Sequence, residues 1–301
     1  MEQRTECGPI PDGDLYKLEF KYYKSKQRPP DLSSVIDANK ESAFSWSTCA
    51  IGRNDHGVEE TLKVGELTSV PGLLFVPAAF SPEGLHRLTH SCLYDYPERP
   101  NVTNLEVLPA STTKRLGSVK VALDDELRKK LRWATLGYHH DWNTKVYNME
   151  HFSRFPFELA QCAAVFAEKV ARYEYQYRAE AAIVNYYPIG MTLAGHVDQS
   201  EEDQTAPLVS ISLGCTCIFL IGGSSRAVRP SALFLRHGDV VIMTGPARQA
   251  YHGVPRVFIE KGSDRPDAYA LAGDCEESIC KKYLSKHRIN INIRQVHKPD
   301  V

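Results

Sequence analysis

Two short strings in this chain carry side chains that together could hold a metal ion. Gly195-His196-Val197-Asp198 places an imidazole and a carboxylate two positions apart, and Ala250-Tyr251-His252-Gly253 adds a second imidazole. Two histidines and one carboxylate suit a non-haem Fe(II) centre with open coordination positions. On a strand, side chains two apart share a face, so His196 and Asp198 can reach one ion with Val197 turned away. His252 would arrive from another strand. An ion held from one side leaves room for a co-substrate and dioxygen, the arrangement of an oxygenase. Taken alone, a His-x-Asp pair is more often a surface pair than a metal site, so further residues must decide.

Residues 288–294 read Arg-Ile-Asn-Ile-Asn-Ile-Arg. This polar/apolar alternation is that of a half-buried strand. Ile289, Ile291 and Ile293 would pack inward, and Arg288, Asn290, Asn292 and Arg294 would share the other face. Two arginines on one face suit a dicarboxylate, because each guanidinium can grip a carboxylate through paired hydrogen bonds. Their backbones would lie ~20 Å apart on an extended strand, with the long side chains leaning inward. The competing expectation is an edge strand with solvated polar residues. Upstream, Asn185 and Tyr187 are again two apart and can face one pocket, where an amide and a phenol would complete a carboxylate's hydrogen bonding.

In this order the strings resemble the AlkB family of Fe(II)/2-oxoglutarate dioxygenases. The matching residues are Asn185, Tyr187, Gly190, His196, Asp198, His252, Arg288, Asn290 and Arg294, with Asn292 standing where the family usually has threonine. Leu15–Ala38, Lys130–Trp142 and Pro207–Gly223 are similar to the animal homologue 1 branch, so the likeness runs from about residue 15 to Val296 and suggests a full-length or nearly full-length member. The resemblance implies Fe(II) on His196, Asp198 and His252, with 2-oxoglutarate and dioxygen as co-substrates. It implies that Arg288, Asn290 and Tyr187 hold the distal carboxylate of 2-oxoglutarate, and that Arg294 and Asn185 serve the end that chelates iron.

The implied activity is oxidative demethylation of N-methylated nucleobases in tRNA or DNA. N1-methyladenine or 5-methylcytosine in tRNA and N6-methyladenine in DNA are the candidate targets. A target base must leave its stack, so unpaired or bulged substrates should be favoured. Trp133, Tyr138, His139, His140, Trp142 and Tyr147 read as an aromatic-rich loop. A ring near the iron could stack on a flipped base. Alignment to the family's Leu-Gly-aromatic string makes Tyr138 the stacking candidate, with Tyr147 second; ordinary packing over the barrel mouth is the alternative. Glu201 is a further substrate-binding candidate, one residue beyond the place of an aspartate in the bacterial-type members, and a solvated acidic loop is its plainer reading. A protein hydroxylase or demethylase of the same chemistry, and a non-catalytic nucleic-acid-binding jelly roll, are the competing functions.

The chain has 301 residues and a net charge of −1, so no global field announces a polyanionic partner. Tyr16 to Arg28 holds five basic residues among aromatics and could track phosphates. Alternatively it is an amphipathic helix with Leu15, Leu18 and Tyr22 turned inward. The eight cysteines show no zinc spacing and read as reduced core residues. No apolar run is long enough to span a bilayer, and the first residues lack a signal-peptide apolar region. The expectation is an intracellular protein, nuclear or cytoplasmic, with the mitochondrion suggested by family analogy. It would be a monomer without a membrane partner.

The fold class expected is α+β, with a double-stranded β-helix or jelly-roll core, N-terminal helices and a nucleotide-recognition lid. Three segments follow: a partly helical or disordered extension over 1–66, helical support and lid over 67–177, and the catalytic jelly roll over 178–301. The first segment includes a polar stretch from Lys40 to Gly65 with weak pattern. Within the second, Ser81-Pro82-Glu83 opens a helix through Leu93, Leu123 to Arg132 forms another, and 156–172 is the most regular. The third alternates short apolar strands with glycine-rich turns, as in a jelly roll.

Overall fold

The computed structural model describes residues 13–37, 43–109, 116, 119–259 and 275–299. Of the extension expected over 1–66 to be partly helical or disordered, residues 1–12 and 38–42 lie outside the described residues. Chain order runs α1 (Leu15–Lys24), β1 (Phe44–Ala50), β2 (Thr61–Leu67), β3 (Leu73–Val76), α2 (Pro82–Tyr94), β4 (Val102–Thr103) and α3 (Asp125–Lys130). A hairpin follows, β5 (Trp133–Asp141) and β6 (Val146–Phe152), then α4 (Phe157–Ala164), continued by a π-helical turn over Val165–Val170. The remaining elements are β7 (Ala181–Pro188), β8 (Leu193–His196), β9 (Leu208–Gly214), β10 (Thr216–Ile221), β11 (Ser231–Leu235), β12 (Val240–Met243), α5 (Gly245–Arg248), β13 (His252–Phe258), α6 (Cys275–Leu284) and β14 (His287–Arg294).

The strands form two antiparallel sheets, the double-stranded β-helix expected. The larger runs β1-β2-β3-β12-β9-β14-β7-β5-β4, with β6 added beside β5, and the smaller runs β11-β10-β13-β8. Apolar side chains between the sheets come from both: Phe75, Val241 and Met243 from the larger, Cys217, Phe219 and Val254 from the smaller. The opposite face of the larger sheet packs on α2, α4 and α6 through Val184, Ile211, Ile289, Leu93, Leu159 and Tyr283. Burying apolar area on both sheet faces is the main driving force for such a layered arrangement.

Several expectations need correction. The stretch from Lys40 to Gly65 contains β1 and most of β2, and the larger sheet draws strands from all three expected segments. The period was faint because β1 is the outermost strand and keeps only Phe44 buried. The aromatic run from Trp133 to Tyr147 is a hairpin, not a loop, with Tyr138 opposite Phe152 and His140 opposite Tyr147. The helix expected over Leu123–Arg132 is confined to α3. In α1 the inward face is Tyr16, Glu19 and Tyr23 rather than Leu15, Leu18 and Tyr22. Glu19 is tolerated there because it pairs with Arg229.

The strand Arg288–Arg294 is not an edge. β14 lies between β9 and β7, and Arg288, Asn290, Asn292 and Arg294 are all buried. Their face points toward the smaller sheet, so the polar residues of this strand are enclosed and need partners there.

Candidate active site

The three expected metal ligands come together. One donor atom from each of His196, Asp198 and His252 lies within 4.8 Å of the others. His196 ends β8 and is paired directly with His252 at the start of β13. Asp198 follows in the loop just past β8, so the turn of the chain, not the pleat of a strand, aims its carboxylate. Asp198 Oδ1 is 3.8 Å from His196 Nε2 and Oδ2 is 3.4 Å from His252 Nε2.

Each imidazole is oriented by a backbone carbonyl. His196 Nδ1 is 2.9 Å from the Ala194 oxygen, and His252 Nδ1 is 3.0 Å from the Ala250 oxygen. A proton on Nδ1 donates to the carbonyl and leaves each Nε2 lone pair free. Burial, together with the neighbouring His252, lowers the His196 pKa and favours the neutral ring a metal requires. Burial opposes charge on Asp198, but the Arg294 guanidinium overcomes it and holds the carboxyl well below the usual range. Asp198 Oδ2 is buried without a hydrogen-bond partner. A free carboxylate oxygen beside two free imidazole nitrogens fits a divalent metal ion.

The 2-oxoglutarate candidates divide into two groups. At one end of β14, Arg288 is 1% exposed, and among the described residues its one side-chain hydrogen bond is Nη2 donating to Ser212 Oγ at 2.9 Å. Its Nε and Nη1 have no hydrogen-bond partner, nor has the buried hydroxyl of Tyr187, which lies directly across the ladder. Burial pushes the Tyr187 phenol up, so it remains a donor. A buried guanidinium with unused donors next to a buried phenol is a fitting cradle for a carboxylate. Asn290 donates to Ser210 Oγ and to the Ile211 carbonyl, and Asn185 sits opposite it on β7. Arg288, Asn290, Asn292, Ser210 and Met243 line a cavity that also reaches His252.

Arg294 stands at the other end of the strand and is committed to acids. Its Nη2 donates to Asp198 Oδ1 at 2.9 Å, and its Nε lies 2.9 Å from Glu201 Oε1. Its Nη1 donates to the Tyr147 hydroxyl at 3.3 Å. The solvated acidic loop expected around Glu201 is thus corrected: Glu201 is 5% exposed and also pairs with Arg248 at 2.8 Å. Tyr147 is likewise buried, and its hydroxyl donates to Glu201 Oε1. Tyr138 remains half-buried, its ring 5.8 Å from Phe152 and 5.3 Å from His297. Gly137 beside it has φ 70°, and a Cβ there would run into the Glu180 carbonyl, which explains the glycine before the ring.

Sequence reasoning missed Arg248 and the serines of β9. Arg248 lies four residues before His252, and Ser210 and Ser212 alternate with apolar residues on the strand beside β14. That alternation was the available signal.

The family model of the 2OG-Fe(II) oxygenase superfamily matches residues 72–294, a span that contains every residue of this site. Over 96% of its length this chain is 37% identical to the tRNA demethylase abh1 of Schizosaccharomyces pombe, covering 98% of that protein. The chain belongs to the AlkB family of 2OG-Fe(II) oxygenases, on its homologue 1 branch. Within this family it is also 32% identical to the DNA N(6)-methyladenine demethylase ALKBH1A of Arabidopsis thaliana, with 93% of this chain and 92% of that one covered. The nucleic acid dioxygenase ALKBH1 of Homo sapiens is 32% identical, with 96% and 86% covered. As an AlkB enzyme the protein is an Fe(II)/2-oxoglutarate-dependent dioxygenase, and His196, Asp198 and His252 form its facial triad.

Proposed function

We propose that this AlkB enzyme oxidatively demethylates N-methylated bases in nucleic acid, taking them unpaired or flipped from the stack. The observation that carries the reading is the attachment of the β5–β6 hairpin to the metal-ligand loop. His140 Nε2 lies 3.1 Å from Ser200 Oγ, two residues past Asp198, and Tyr147 reaches Arg294. The same hairpin presents Trp142 at 48% and Phe152 at 66% exposure, with Tyr138 beside Phe152. Exposed rings next to a metal site suit stacking on a base. The relatives' names point the same way: one acts on tRNA, another on DNA N(6)-methyladenine.

Fe(II) and 2-oxoglutarate supply the oxidising chemistry when bound. Arg288 and Tyr187 would receive the distal carboxylate of 2-oxoglutarate with Asn290 beside them. Arg294 and Asn185 would serve its other end. Tyr138 would hold the target base, and Tyr147 and Glu201 would shape the pocket behind it from within rather than from the solvent side.

Incubating the protein with Fe(II), 2-oxoglutarate and methylated tRNA, methylated unpaired DNA or methylated peptide tests this. Succinate release driven by a nucleic acid, matched by loss of its methyl group, is expected. Stimulation by the peptide alone would favour a protein hydroxylase or demethylase instead.

A further inference from the structure

Arg248 and Glu201 complete a closed ring of charges around the metal carboxylate. Arg248 Nη1 donates to the backbone carbonyl of Asp198 at 2.7 Å, and its Nη2 donates to Glu201 Oε2 at 2.8 Å. Glu201 Oε1 lies 2.9 Å from Arg294 Nε, and Arg294 Nη2 donates to Asp198 Oδ1 at 2.9 Å. The circuit thus begins at the Asp198 main chain and returns to the Asp198 side chain. Arg248, Glu201 and Arg294 are buried, at 1%, 5% and 2% exposure.

We infer that Arg248 and Glu201 are positioning residues that set the affinity of this site for its metal. The inference rests on the reading of His196, Asp198 and His252 as the metal ligands. Its physical basis is twofold. Arg248 fixes the main chain at Asp198, which lies in a loop and has no ladder to hold it. Glu201 shares Arg294 with Asp198, so that the guanidinium does not sit wholly on the carboxylate that must bind metal. Two carboxylates and two guanidiniums make the ring neutral before a dication arrives. Neutralising Glu201 would leave the ring positive and draw Arg294 onto Asp198; both changes oppose cation binding. Tyr147, donating to Glu201 and accepting from Arg294, ties the ring to the substrate-side hairpin.

The test is a titration of the intact protein with Mn(II) in the absence of 2-oxoglutarate, read by the paramagnetic signal of free Mn(II). Wild type, Asp198→Ala, Glu201→Gln and Arg248→Lys are compared, with Arg236→Lys as a control. Arg236 forms a largely enclosed, two-bond pair with Asp37 just past the end of β11. Wild type should bind one ion that Asp198→Ala loses. Glu201→Gln and Arg248→Lys should each bind about tenfold more weakly, the usual size of an effect from residues that orient metal ligands. Arg236→Lys should lower the melting temperature without moving the affinity. Glu201→Gln is isosteric and decides the matter if Arg248→Lys does not fold, and Arg248→Lys decides it in the converse case. Affinities within twofold of wild type in a folded variant would overturn the inference. A wild type that binds no Mn(II) would instead overturn the metal reading beneath it.

Discussion

Asp198 and Arg294 share a hydrogen bond at the point where the metal site meets the strand that carries the co-substrate arginines. Arg294 Nη2 donates to Asp198 Oδ1 at 2.9 Å, leaving Oδ2 buried without a hydrogen-bond partner beside His252. One oxygen is held by the protein while the other faces the space a metal would take. This relationship joins β14 to the loop after β8 and makes the ligand geometry depend on both.

Removing the carboxylate should therefore abolish metal-dependent turnover without unfolding the chain. Asp198→Ala also frees Arg294, which keeps Glu201 and Tyr147 as partners. Succinate formation should drop by at least about a hundredfold, with circular dichroism unchanged, because a facial site left with two ligands no longer fixes its metal. Retention of more than a tenth of the activity would remove Asp198 from the ligand set.

Arg288→Met should separate co-substrate binding from the rest of the reaction. The wild-type guanidinium is buried with two unused donor atoms, whereas methionine fills the space without them. The KM for 2-oxoglutarate should rise by roughly tenfold or more while the Mn(II) affinity stays near that of wild type. An unchanged KM would show that the carboxylate binds elsewhere.

These two assignments show how much of the site was legible in the residues. His196, Asp198 and His252 stood out because ligand chemistry restricts residue type, and Arg288 and Arg294 because a strand's period of two restricts spacing; the same period does not apply to Asp198, which lies in the loop past β8. The apolar strands from β7 onward were legible for the same reason. The partners were not. Nothing in the acidic run Ser200–Asp203 says that Glu201 is buried, because its burial depends on Arg248 and Arg294, 47 and 93 residues away in sequence. The hairpin from Trp133 to Phe152 escaped because its outer strand is exposed on both faces except at Tyr147, which erases the alternation.

Tyr138→Ala should weaken nucleic-acid binding while leaving the co-substrate site alone. Loss of one stacking ring costs about 1–3 kcal/mol. The KM for methylated nucleic acid should rise accordingly, with 2-oxoglutarate affinity unchanged. Equal KM values for wild type and variant would return Tyr138 to a packing role against Phe152 and His297.

Mild acid should destabilise the metal-free protein through its half-buried histidines. Burial lowers the pKa of His139, His140, His196 and His287 from an ordinary value of 6.5. Below that value the unfolded chain binds protons that the folded chain refuses, so stability falls as the pH drops through 6.5 toward the lowered folded values. The depressed Asp198 pKa adds stability above its ordinary 3.8 that is lost only at lower pH, so the two windows are separate. The melting temperature should be lower at about pH 5.5 than at about pH 7.5; a flat profile would contradict neutral, half-buried histidines.

Gly195→Ala should disturb the metal site from behind. A Cβ at Gly195 would run into the Tyr16 ring, which is 1% exposed against the outer face of the smaller sheet. Overpacking of this kind costs about 1–3 kcal/mol. The variant should melt earlier and bind Mn(II) more weakly through displaced His196, and adding Tyr16→Leu should recover part of both losses. No recovery in the double variant would show that the ring is not the obstacle.

Nucleoside mass spectrometry coupled to succinate measurement tests the demethylase reading directly. Methylated tRNA and methylated unpaired DNA are incubated with the protein, Fe(II) and 2-oxoglutarate. One methylated nucleoside should decline as succinate and formaldehyde appear in equal amounts, and His196→Ala should stop all three changes. Succinate formation with every nucleoside unchanged would contradict that reading.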